Sequence, residues 1–156
     1  NNVKEITNWF TVITKSKTNN GSSSDVSVTS ENNSQDIDKW LFWDLGFLNT
    51  NVGKVIYPRL FMNSEPTEKD INRLVEKLEH LDNSLINTDF LINNSFSIAD
   101  LSSCMLVHNS QLRNDIVDIN NYKNIVRWLD NVENQFDKSD WDDVMGDFFK
   151  WRDSNK

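Results

Sequence analysis

The sequence predicts an all-α helical bundle, and three observations carry that prediction. Apolar residues recur at alternating spacings of three and four over Ile71, Leu74, Leu78, Leu81 and Leu85, the pattern of a helix with one buried face. The stretch Ile98 to Leu112 is apolar or small on most sides, which places it inside the bundle with other helices around it. Immediately before that stretch, Ser97-Ile98-Ala99-Asp100 puts a hydroxyl at a helix N-cap and a carboxylate three residues later. The Ser97 hydroxyl can accept from the N–H of Asp100 while the Asp100 carboxylate accepts from the N–H of Ser97, a reciprocal capping box. Phe96 and Leu101 flank the box at the positions of a hydrophobic staple.

Composition bounds the rest. A chain of 156 residues suits one domain with a real core, and its six Trp and nine Phe support a globular interior. A formal net charge of −8 argues against a direct grip on nucleic acid, because no basic stripe is available to displace counterions from phosphates. No apolar run approaches the ~20 residues of a membrane span, and no secretory leader is visible. The single cysteine, Cys104, cannot close an internal disulfide and sits mid-helix as a small core residue, so a cytoplasmic location is expected. His80 and His108 lack companions at metal-ligand spacing, and no metal site is expected.

Taken in order, residues 1–16 carry Val3, Ile6, Trp9, Phe10 and Ile13 at the spacing of a short amphipathic helix. Residues 17–36 are polar and of low complexity, which predicts a disordered loop. A helical domain is expected over 37–152. It opens with Ile37, Trp40, Leu41, Leu45 and Leu48 on one apolar face; Trp43 and Phe47 at its edge fit either the core or a neighbouring domain. Asn49 to Gly53 reads as a break, Pro58 as a kink or stop, and Thr67 as the next N-cap. Further on, Tyr122, Ile125, Trp128, Leu129, Val132 and Phe136 share one helix face, with Arg127, Asp130, Asn131 and Asn134 opposite. A last helix is expected over Trp141, Met145, Phe148 and Trp151, capped by Ser139 or Asp140.

Phe90-Leu91-Ile92, a polar turn and Phe96-Ser-Ile-Ala-Asp100 resemble the capped core-helix segment of the glutathione-transferase C-terminal helical domain. Leu74 to Leu85 resembles the preceding helix of that family, and Tyr122 to Leu129, with its Arg127-Trp128 pair, a later one. The resemblance implies a helical bundle around a capped central helix. A working glutathione transferase takes most of its glutathione site from a thioredoxin-like half with a catalytic Tyr, Ser or Cys. Residues 1–36 hold no Tyr, Cys or Pro, so that half reads as largely absent.

The expected function is accordingly non-catalytic. The run Val126-Arg127-Trp128-Leu129-Asp130-Asn131-Val132-Glu133, together with the capping box, looks most like the appended domain of a eukaryotic glutamyl-tRNA synthetase. The glutaminyl and methionyl enzymes are the next alternatives. That resemblance implies docking to the glutathione-transferase-like domain of a scaffold protein or another synthetase within a multisynthetase complex. Arg127, with Asp130, Asn131 and Asn134 beside it, would be partner-binding; tRNA would be met only indirectly. No cofactor is expected, ATP being confined to catalytic ligase domains outside these residues. Two alternatives stand: elongation factor 1 gamma, and a glutathione transferase whose N-terminal half is missing.

Overall fold

The first described element is a long helix interrupted by one wider turn. The computed structural model describes residues 29–92 and 94–154; the expected helix over 1–16 and most of the expected loop lie outside them. Helix α1 (Thr29–Trp43) passes into a π-helical turn (Asp44–Leu48) and then into α2 (Asn49–Met62) without leaving helical geometry. Three expectations are corrected here. The helix begins at Thr29, inside the stretch read as loop, because its polar residues can extend a helix that is anchored further on, and Asp36 pairs with Lys39 one turn away. Asn49 to Gly53 is helical and not a break. Its Asn51 side chain donates to the Phe47 carbonyl at 2.7 Å and so serves the helix that its composition seemed to interrupt. Pro58 lies inside α2, which ends only at Asn63, a left-handed residue with φ 48° whose N–H donates to the Pro58 carbonyl.

The π turn also changes which side chains face inward. Leu48 is fully buried, but Leu45, expected beside it, is 63% exposed, and Asp44 is buried in its place. The reason lies on the central helix, where the hydroxyls of Ser102 and Ser103 both donate to the Asp44 carboxylate. Of the two edge aromatics, Trp43 is half-buried against Trp40 and His80, with ring centroids 5.2 Å and 5.4 Å away, whereas Phe47 is exposed beneath the Lys77 ammonium.

Helix α3 (Glu68–Ser84) starts at Thr67, whose Oγ1 accepts from the N–H of Asp70. It buries Leu74, Leu78 and Leu81, and Leu85 follows just past its end. Helix α4 (Ile98–Ser110) is the central element; Ala99, Leu101, Cys104 and Val107 are buried along it. Two 3-10 turns, Gln111–Arg113 and Ile119–Asn121, lead to α5 (Lys123–Glu133) and α6 (Lys138–Ser154). Helix α6 begins at Lys138, so Ser139 and Asp140 occupy its first turn and do not cap it. Trp141 and Met145 are buried, whereas Trp151 is exposed.

Helix α4 packs against α2, α5 and the π turn, while α3 packs against α2 and α5. Residues 32–156 form one compact unit. Among the described residues there is no named strand, only an isolated bridge between Ile92 and Ser95 across a turn at Asn94. The fold is a helical bundle around a capped central helix.

Candidate functional site

Three arrangements could carry function: the capped start of α4, the surface of α5, and the outward face of α2. The first is a hub for hydrogen bonds. The capping box forms, with the Ser97 N–H and Oγ–H each donating to Asp100 Oδ2 at 2.9 Å. The other carboxylate oxygen accepts from the Leu91 N–H at 2.8 Å and from the Trp128 indole N–H at 2.9 Å. Asp100 and Trp128 are both fully buried, so one carboxylate joins the loop before α4, the start of α4 and helix α5. Leu101 is buried, and the Phe96 ring sits against Phe90 and Phe136. This hub holds the fold together and leaves the carboxylate no access to a substrate.

Helices α3 and α5 cap each other. Asp82, on α3, accepts from the N–H groups of Asn124 and Ile125 at 2.9 and 3.0 Å, satisfying the first turn of α5. In return Arg127, on α5, donates through Nη2 to the carbonyls of Leu85 and Thr88, just beyond α3. An anion at a helix N-terminus and a cation at a C-terminus are the favourable pairings with the helix dipole. The remaining residues expected to bind a partner lie nearby. Asp130 and Asn134 are exposed, and half-buried Asn131 donates to the Asp89 carbonyl at 3.4 Å. The structure thus gives Arg127 an intramolecular task that its sequence position did not disclose.

The third arrangement was not singled out from the sequence. An open groove of about 560 Å³ runs along the outward face of α2, bounded by Asn49, Gly53, Lys54, Tyr57 and Met62 and by Asp70 at the start of α3. Gly53 permits it: a Cβ there would lie 3.1 Å from the Tyr57 ring, so the missing side chain lets that ring rest against the helix one turn back. Tyr57 meets Phe61 edge-on at 5.6 Å, and Phe61 and Met62 are 73% and 72% exposed. The Gly53/Tyr57 spacing of one helical turn was the available signal.

Beyond the groove, Arg113 pins the connection that follows α2. Nearly buried, it pairs with Asp115 at 2.9 Å and with Glu65 at 2.8 Å, while Arg59 reaches the other oxygen of Glu65 at 2.7 Å. Hydrogen bonds from Arg113 hold both Asp115 and Glu65 below the usual carboxylate range. By contrast, burial pushes Asp44 upward against the lowering effect of its two hydroxyl donors. Burial also pushes the Cys104 thiol well up, with the charges of Asp100 and Glu133 adding to the shift. Among the described residues, no group of three or more His, Cys, Asp or Glu side chains is placed to hold a metal ion. No described helix is long and apolar enough to cross a membrane. Of the three arrangements, the groove on α2 is the one that leaves aromatic and apolar side chains exposed beside an open space.

A bundle wound around a buried, capped helix with a Trp–Asp bond at its centre defines a class, and comparison with known proteins supplies the family. The family model "Glutathione S-transferase, C-terminal domain" matches residues 52–136, more than half of the chain, and the chain belongs to that family. Glutathione S-transferase D6 of Drosophila melanogaster is 25% identical over 97 residues, which are 62% of this chain and 44% of that protein. A delta-class glutathione transferase of Nilaparvata lugens superposes with a TM-score of 0.65 at 21% identity, covering 85% of this chain and 63% of the other. The chain therefore spans less than two thirds of either relative.

These matches overturn the expected placement in an aminoacyl-tRNA synthetase and its multisynthetase complex, because the relatives found are glutathione S-transferases. They likewise give no support to a ligase as the parent protein. The structure explains the error. Asp100 and Trp128, two of the residues that suggested a synthetase appendage, bond to each other in the interior, and exposed Arg127 donates to the Leu85 and Thr88 carbonyls of its own chain.

Proposed function

We propose that this chain is the C-terminal helical half of a glutathione transferase. Its partner within the same polypeptide would be a thioredoxin-like half that holds glutathione and activates the thiol. The family match over residues 52–136 carries the reading, and the superposition on a delta-class enzyme is consistent with it. In this reading the helical half contributes binding surface and no acid, base or nucleophile. The groove beside Tyr57, with Met62 at its end and Phe61 edge-on to the Tyr57 ring, supplies the apolar wall for the acceptor that receives the sulfur. Glutathione is a co-substrate held elsewhere.

The test uses the full-length product of the gene that encodes these residues. It should bind immobilised glutathione and elute with free glutathione. Tyr57→Ala should leave that binding intact while raising KM for an aromatic electrophile, since the substitution removes acceptor contacts only. Failure of the full-length protein to bind glutathione would overturn the reading. Loss of glutathione binding in Tyr57→Ala would move the groove from the acceptor to the tripeptide.

A further inference from the structure

The first long helix reverses the usual partition at one point: it buries Asp44 and leaves Leu45 and Phe42 63% and 74% exposed. A buried carboxylate next to an outward leucine is a costly arrangement, and neither residue has a part in the groove described above. We propose that Asp44 is a positioning residue: its carboxylate, docked on the hydroxyls of Ser102 and Ser103, holds the π turn and thereby turns Leu45 outward. The inference is independent of the transferase reading.

Helix geometry explains the coupling. In an α-helix, two positions three residues apart are separated by about 60° around the axis, so Leu45 would flank Leu48 at the edge of the core. A π turn closes five residues on, here through the Asn49 N–H and the Asp44 carbonyl, and its wider circuit carries Leu45 further round from Leu48. The same turn sets Asp44 opposite α4, where Ser102 and Ser103 supply the donors that a buried carboxylate requires. Asn51, itself buried, fastens the other end of the turn by donating to the Phe47 carbonyl. The anchor is thus a side-chain contact across the bundle, and what it sets is the display of Leu45 beside Phe42. Without the anchor, the α register returns and position 45 moves toward the core.

The test introduces a thiol by Leu45→Cys and measures its rate of alkylation under native conditions. Cys104 is fully buried and serves as an internal reporter of unfolding. With Asp44 intact the new thiol should react readily. Adding Asp44→Ala should slow it by ~10-fold or more while Cys104 stays protected, because accessibility governs thiol chemistry. Asp44→Asn, which keeps partners for both hydroxyls, should restore the fast rate. An unchanged rate in a folded Asp44→Ala protein would overturn the proposal. Should Cys104 become reactive in that variant, Ser102→Ala decides: a slowed rate supports the anchor and an unchanged one refutes it. Loss of the fold in both variants would also refute it, by making the contact a general requirement for folding.

Discussion

The indole N–H of Trp128 donates to Asp100 Oδ1 at 2.9 Å, and both side chains are completely buried. A capping box that is usually local thereby becomes a tertiary contact. The carboxylate that closes the first turn of α4 also fixes the rotation of α5 and accepts the backbone N–H of Leu91.

Asp100→Ala should therefore be far more damaging than loss of an ordinary cap. Beyond the cap itself, it strands the Leu91 and Trp128 donors in the interior, and each such group costs about 1–3 kcal/mol. A total loss of at least about 3 kcal/mol is expected in urea denaturation. Trp128→Phe keeps most of the ring and removes one donor, for an expected loss of about 1–2 kcal/mol. Equal losses in the two variants would contradict the shared-carboxylate account.

Arg127→Ala should act on stability through the end of α3. Its two carbonyl partners lie at Leu85 and Thr88, so amide exchange should accelerate around residues 85–88. The unfolding free energy should fall by about 1 kcal/mol, modest because the guanidinium is exposed. Both bonds come from one nitrogen, so the ammonium of Arg127→Lys can replace them, and the recovery should fall short of complete because that group is more strongly hydrated on a flexible stem. Exchange rates at 85–88 indistinguishable from wild type would show that the cap contributes nothing.

Asp44 should give the stability curve a slope on the acid side. Its pKa in the folded chain is raised by burial, so between the unfolded value, about 4, and that raised value the folded state binds more protons. Stability contributed by this group is thus fully present below the unfolded pKa and falls as pH rises through the folded one. Asp44→Asn should remove that fall, leaving the variant favoured relative to wild type at neutral pH and not in acid. Denaturant titrations of both proteins across the window would show parallel curves if the carboxylate is not strained by burial.

Cys104 should resist alkylation and disulfide exchange in the native protein. It is fully buried and its thiol is pushed up, so the reactive thiolate is scarce and unreachable. Modification timed against denaturant should track global unfolding; rapid labelling in buffer alone would contradict the packing of α4.

What could be read from the sequence follows the range of each interaction. The Ser97/Asp100 box, the Thr67 cap and the stripe from Leu74 to Leu85 are set by residues three or four apart, and periodicity exposes them directly. Leu45 and Asp44 flank the same α-helical face almost equally, and the choice between them is made by hydroxyls more than fifty residues away. Arg127 stood off the apolar stripe of α5, which looked like freedom to meet a partner. Its carbonyl acceptors, some forty residues earlier in the chain, could not be inferred from that stripe. The groove depends on Tyr57 resting where Gly53 has no side chain, a relation visible only once the helix is known to run unbroken through Pro58.

The proposal that these helices complete a glutathione transferase is decided by the initial rate at which the full-length protein conjugates glutathione to an aromatic halide. The expected rate saturates in both substrates, with Tyr57→Ala raising KM for the halide alone. No enzyme-dependent conjugation with any of several electrophiles, at saturating glutathione, would contradict it.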